Sequence, residues 1–210
     1  MSTPITQLPK PEVNQFKGKR KLFLVPTFFF PPNIPDEGTN ILDRYWSEIR
    51  DHIDKLERSL GSISHIYHEN LYLSGEEGLS LIENLNPKGL TFIKALSNST
   101  ASLEQTEDKD LWEENWDWQT CISMGLLRSQ KVMKLAYESY QETTQKRFEY
   151  SSNRIDQTLL ENETGILFCR EDHRIQFPND IQVFFVAPPS LDTLKKWIDN
   201  QYAQPSSPNS

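Results

Sequence analysis

Cysteine is scarce in this chain: only Cys121 and Cys169 occur, far apart and in apolar surroundings. That spacing excludes a disulfide framework or a zinc knuckle, and both residues read as small buried hydrophobes. Glycine is scarce too, at eight residues. None forms Gly-x-Gly-x-x-Gly or a phosphate loop ending in Gly-Lys-Ser/Thr, and neither Cys-x-x-Cys nor His-Glu-x-x-His occurs. Dinucleotide, NTPase, thioredoxin-like and zinc-protease readings lose their motif support, and no spacing implies a particular cofactor.

Long apolar runs are also lacking. The longest, residues 22–30, is interrupted by Pro26 and Thr27 and is too short to span a bilayer. Met1-Ser-Thr-Pro-Ile-Thr has no apolar run of the secretory kind, so Asn98-Ser-Thr100 and Asn162-Glu-Thr164 are chance matches to the glycosylation pattern. Basic residues are the minority, 22 against 30 acidic, for a net charge of −8. Duplex binding rests on phosphate neutralisation, so this balance disfavours nucleic acid, and it gives no attraction to an anionic membrane. The expectation is a soluble, cytoplasmic protein. Lys17-Gly-Lys-Arg-Lys21 is then the solvated lead-in to a strand.

What is present suffices for one core: 36% of the residues are hydrophobic and 11% aromatic. The expected organisation is a disordered leader over 1–16, one α/β domain over 17–200 and a disordered tail over 201–210. No internal repeat divides it. The carboxyl third, 154–197, carries the clearest grammar: helix end, apolar strand, charged turn, apolar strand and a last helix.

Earlier in the chain, Leu22-Phe-Leu-Val25 is apolar on both faces and reads as a central strand. Thr39 or Asn40 can cap a helix whose stripe Leu42, Trp46, Ile49, Ile53, Leu56 and Leu60 steps by three and four, ended by Gly61. Residues 62–73 read as a second strand. Two short helices follow over 76–96, with Pro87 in the first turn of the second, and 98–106 is a polar connection. The pattern over 107–161 is helical, with a break expected near Ser123-Met-Gly125. Only ten residues, 171–180, separate the last two strands. That is short for a parallel crossover, so an antiparallel pair is a live alternative. The expected fold is three or four strands, mostly parallel or mixed, covered by helices of which one is long.

Glu171-Asp172-His173-Arg174 is the densest set of functional groups. It follows an apolar strand, where open α/β sheets build their sites, and a carboxylate beside a histidine suits a metal or general acid–base chemistry. A solvated turn is the plainer reading. His65-Ile-Tyr-His68-Glu69 is the second candidate: His65 and His68 point to opposite faces of a strand, while His65, Tyr67 and Glu69 share one. Trp112 and Trp116, four apart in an acidic run, read as docking their helix onto the core, or as an aromatic patch for a partner. Cys121-Ile-Ser123-Met-Gly125 departs from the nucleophile elbow at its first position and lies in a helical pattern.

Two functional readings follow. The leading one is a non-catalytic module binding a protein partner or a small regulatory ligand, with a homo-oligomer through the long helix as one form of it. The alternative is a metal-assisted hydrolase or phosphoryl-transfer enzyme using Glu171, Asp172 and His173, with His68, Glu69 and Arg174 as ligand-binding groups.

Overall fold

The computed structural model describes residues 18–28, 30 and 34–203. The expected leader, Lys17, Phe29, residues 31–33 of the proline-rich loop and residues 204–210 of the expected tail lie outside the described residues, while residues 201–203 of that tail continue the last helix.

Alternation between two buried faces makes β1 (Arg20–Pro26) an interior strand of the sheet. Phe23 and Val25 face one core cluster, Leu22 and Leu24 the other. On its two sides lie β4 (Thr164–Cys169) and β5 (Ile181–Phe185), both parallel to it. Beyond β4 come β2 (His65–His68) and the two-residue β3 (Ser102–Leu103), giving the order β3-β2-β4-β1-β5. The sheet thus has five strands, not three or four, and every pairing is parallel.

The antiparallel alternative for the last two strands is overturned, because β5 does not pair with β4 at all. Residues 170–180 carry the chain past β1 with no helix. Running back along β4 takes about 20 Å and stepping over two strands about 10 Å, within the roughly 36 Å reach of eleven extended residues. Ile175 and Phe177 pack under this crossover against Leu22, Leu24 and Ile181. They cover the sheet where a helix usually would.

The first face is covered by α1 (Asp36–Leu60), α2 (Gly75–Leu85), α3 (Leu90–Ser99) and α6 (Ser190–Ala203). The stripe of α1 is buried as expected at Leu42, Trp46, Ile49 and Ile53, and Gly61 ends the helix at φ +108°, its N–H on the Glu57 carbonyl. The helix begins at Asp36 rather than at Thr39 or Asn40. Pro35 precedes it at φ −55°, and Asp36 and Glu37 suit the positive end of its dipole. The second strand is four residues long, not twelve. Asn70 turns the chain at φ +68°, a conformation asparagine tolerates. The polar connection 98–106 supplies β3, because Ser102 and Glu104 donate their N–H groups to Ser64 and Ile66. Pro87 sits in the turn before α3 rather than in its first turn.

The long helical pattern breaks where expected. α4 (Lys109–Ser123) and α5 (Gln130–Thr158) are joined by a turn with Gly125 at φ +65°. Ile155 and Leu159, at the end of α5, pack on the second face of the sheet. The amino-terminal half of α5 pairs instead with α4, and the two form an arm. Cys169 is buried as expected, but Cys121 is exposed, because it lies on the outer side of that arm. No helix among the described residues is long and apolar enough to cross a membrane.

Candidate functional site

Adjacent strands β1 and β4 hand the chain on in opposite directions, β1 towards β2 and β4 towards β5. Such a reversal leaves a gap between the connections at the carboxyl ends of the strands, where open α/β sheets bind ligands. A crevice of about 990 Å³ opens there, at the upper end of small-molecule sites. Its floor is Phe28, Asn70 and Arg170, the residues that leave β1, β2 and β4. One wall is the start of α1 with the α2–α3 turn, and the other is the arm.

The apolar surface of the crevice comes from aromatic rings held by packing. Trp46 lies edge-on to Tyr45 and tilted against Phe168, with centroids 5.7 and 6.0 Å apart. Gly89 permits that position, since a Cβ there would come within 2.7 Å of the Trp46 ring. Across the gap, Trp112 and Trp116 stack at 5.9 Å and 18°, and Tyr72 supports Trp112 from behind at 5.1 Å. The stripe Trp112–Trp116 therefore does not dock α4 onto the main core, as its spacing predicted. The two indoles line the crevice, and Trp116 is 58% exposed.

Buried charge fixes the arm in place. The Arg147 guanidinium forms two 2.7 Å bonds to the Glu107 carboxylate, one to Asn115 Oδ1 and one to Asn70 Oδ1. Asn70 Oδ1 also accepts from Trp112 Nε1 at 3.1 Å, and its own N–H donates to Glu107 Oε1. The amide of Asn115 donates to Thr143 and Thr144 on α5. One satisfied network thus ties both helices of the arm to the turn after β2, in surroundings where an unpaired group is expensive.

The predicted site residues fall into two places. His68 lies beneath the crevice, fully buried and stacked on Phe168. Its Nδ1 is 2.6 Å from the Glu69 carbonyl and its Nε2 is 3.4 Å from Asn86 Nδ2. Burial pushes its pKa down to about 4, so the ring is neutral at pH 7, donating from Nδ1 and accepting at Nε2. Asn86 in turn accepts from the Gly89 N–H at 3.0 Å, so His68 supports the wall that carries Trp46. Glu69, 5% exposed, accepts from the Arg170 backbone N–H and from its Nε at 2.8 and 2.9 Å. This pair positions Arg170 in the floor.

The charged loop is dispersed. Glu171 pairs with Lys195 on α6, and Asp172 points to solvent 3.9 Å from Arg170. His173 packs on Phe177, and its Nδ1 accepts from the Ile175 N–H. Burial draws its pKa below the ordinary value, against the pull of Glu69 and Asp172. Arg174 lies by Phe148 and Ser152 in a shallow hollow away from the crevice. Among the described residues, no three His, Cys, Asp or Glu side chains converge on a metal-sized point.

Asn70, Asn115 and Arg147 were invisible to motif reading. One signal was present: Asn115 falls three residues from Trp112 on the same side of α4, where a polar group needs a partner. Every cation at the crevice also has its own carboxylate, Arg170 with Glu69, Arg147 with Glu107 and Lys88 with Asp43. The walls are therefore aromatic and amide-rich, with little unbalanced positive charge. In comparison with known proteins, the chain matches no family model, no curated protein and no solved structure.

Proposed function

We propose that the protein is a ligand-binding module whose crevice takes a flat aromatic group with a polar edge, carried by a small regulatory ligand. The observation behind this reading is the pair of facing indole walls, Trp46 on one side and stacked Trp112 and Trp116 on the other, over the strand ends. Flat rings gain from stacking on such surfaces, by about 1–3 kcal/mol for a nucleobase on an aromatic side chain. The amides of Asn84 and Gln119 stand at the rim for the polar edge. Because the cations of the crevice are already paired, a strongly anionic ligand gains little there.

Calorimetric titration with adenosine and with indole tests this directly. Saturable one-to-one binding of at least one probe, weakened about ten-fold by Trp116→Ala, supports the reading. No heat with either probe, or unchanged binding in that variant and in Trp46→Ala, removes it.

The competing reading, metal-assisted hydrolysis, requires Glu171, Asp172 and His173 to act on one point, yet their contacts lead in three directions. A saturable, EDTA-reversible rise in melting temperature with a divalent ion, lost in His173→Ala, would restore it.

A further inference from the structure

The arm carries most of the exposed apolar surface of the described residues. Met124, Leu126, Val132, Met133, Leu135 and Tyr137 lie at its far half, with Leu126 74% and Leu135 56% exposed. A concentration of this kind marks an interaction surface rather than scattered exposure. Two antiparallel helices can bury only the seam between them. Here Ala136 and Thr143 fill that seam, and Val132 and Leu135 lie to one side of it.

Charge is separated along the same arm. The part of α4 nearer the sheet holds Asp110, Glu113, Glu114 and Asp117 with no base between them. The far part holds Arg128, Lys131 and Lys134 with no acid between them. Their partners within the arm are exposed neighbours one turn away: Lys109 lies 3.6 Å from Glu113, and Lys134 lies 3.6 Å from Glu138. Such pairs hold a side chain weakly and leave it able to re-pair. A surface with an acidic near half and a basic far half is complementary to itself when reversed. That is the condition for an isologous two-fold contact.

We infer that two copies of the protein associate through their arms, packed antiparallel as a four-helix bundle. Each basic tip then lies beside the acidic near half of the other copy's α4, and the apolar residues of both tips are enclosed between them. The bundle leaves the floor and the α1 wall of the crevice untouched; because α4 carries the other wall, self-association is measured without ligand, so that its outcome is separate from the binding reading.

Sedimentation velocity over a hundred-fold range of concentration reads the association state. The expected result is a concentration-dependent monomer–dimer equilibrium, with dimer lost in Val132→Glu/Leu135→Glu while the helical circular dichroism is retained. A paired charge swap makes the test specific. Lys131→Glu/Lys134→Glu and Glu113→Lys/Asp117→Lys should each weaken self-association at least ten-fold, and an equimolar mixture of the two should recover dimer. A wild-type monomer throughout the range overturns the inference. So does a dimer that ignores the arm substitutions, or a mixture that fails to recover. A monomer that instead sediments with some other protein would assign the arm to a different occupant and also overturn it.

Discussion

The two ends of one sheet treat their polar groups differently. At the amino end, Arg20 closes onto Asp156 and Asp180, and His65 sits between Glu104 at 2.9 Å and Glu163 at 3.1 Å. These partners bind strand starts to the loops beside them. At the carboxyl end, Arg147 with Glu107 and Arg170 with Glu69 are equally well matched. There, however, they hold apart two aromatic walls. The same chemistry seals one end and props the other open, because the chain connections diverge only at the second.

Removing a prop should therefore cost far more than removing a seal. Arg147→Ala leaves Glu107, 3% exposed, without its partner and should cost about 3–5 kcal/mol. The measurement is urea denaturation, with loss of probe binding expected in any surviving folded fraction. Next comes acid. His68 has a folded pKa of about 4 against an unfolded value near 6.5, so the unfolded chain binds the extra proton between these values. The contribution of His68 to stability should fall as pH drops from about 6.5 to 4 and level off below, by roughly 3 kcal/mol in all. In His68→Asn that slope should vanish, which denaturation at several pH values will show.

A middle-sized effect belongs to Gly89→Ala, whose new methyl group must displace the Trp46 ring. A loss of about 1–3 kcal/mol is expected from overpacking, together with altered probe affinity in calorimetry. The smallest effect is at the sealed end, and its pH sign is opposite. The hydrogen bond to Glu104 raises the pKa of His65 most strongly; burial opposes it, and Glu163 adds to the rise. A raised folded pKa gives stability that is complete below the unfolded value and lost as pH climbs through the folded one. His65→Gln should thus cost about 1 kcal/mol or less below pH 6, with the difference from wild type shrinking in alkaline buffer.

This contrast was only half legible in the sequence. The stripe of α1, the alternation of β1, the stop at Gly61 and the break before Gly125 all follow from local rules and appear as read. Topology did not. A ten-residue turn says nothing of whether it doubles back or passes over a neighbour, and only Ile175 and Phe177 reveal the second outcome. Glu171, Asp172 and His173 looked like a site because they are adjacent in the chain. In the turn closed by the His173 N–H on the Arg170 carbonyl, neighbouring side chains diverge, and these contact α6, solvent and Phe177. The crevice is instead assembled by residues as distant as Phe28, Asn70, Trp112 and Arg170, which no spacing links. The spacing of Trp112 and Trp116 fits a face docked on the core or a patch for a partner, since helical spacing defines a face without saying what it meets.

The most direct test of the crevice uses its own indoles. In the amide and indole NMR spectrum of ¹⁵N-labelled protein, each of the five tryptophans gives a separate side-chain N–H signal. Titration with adenosine or indole should shift those of Trp46, Trp112 and Trp116, leaving Trp118 and Trp197 in place. Shifts confined to Trp118 and Trp197, or equal movement of all five, would contradict a binding site at the carboxyl end of the sheet.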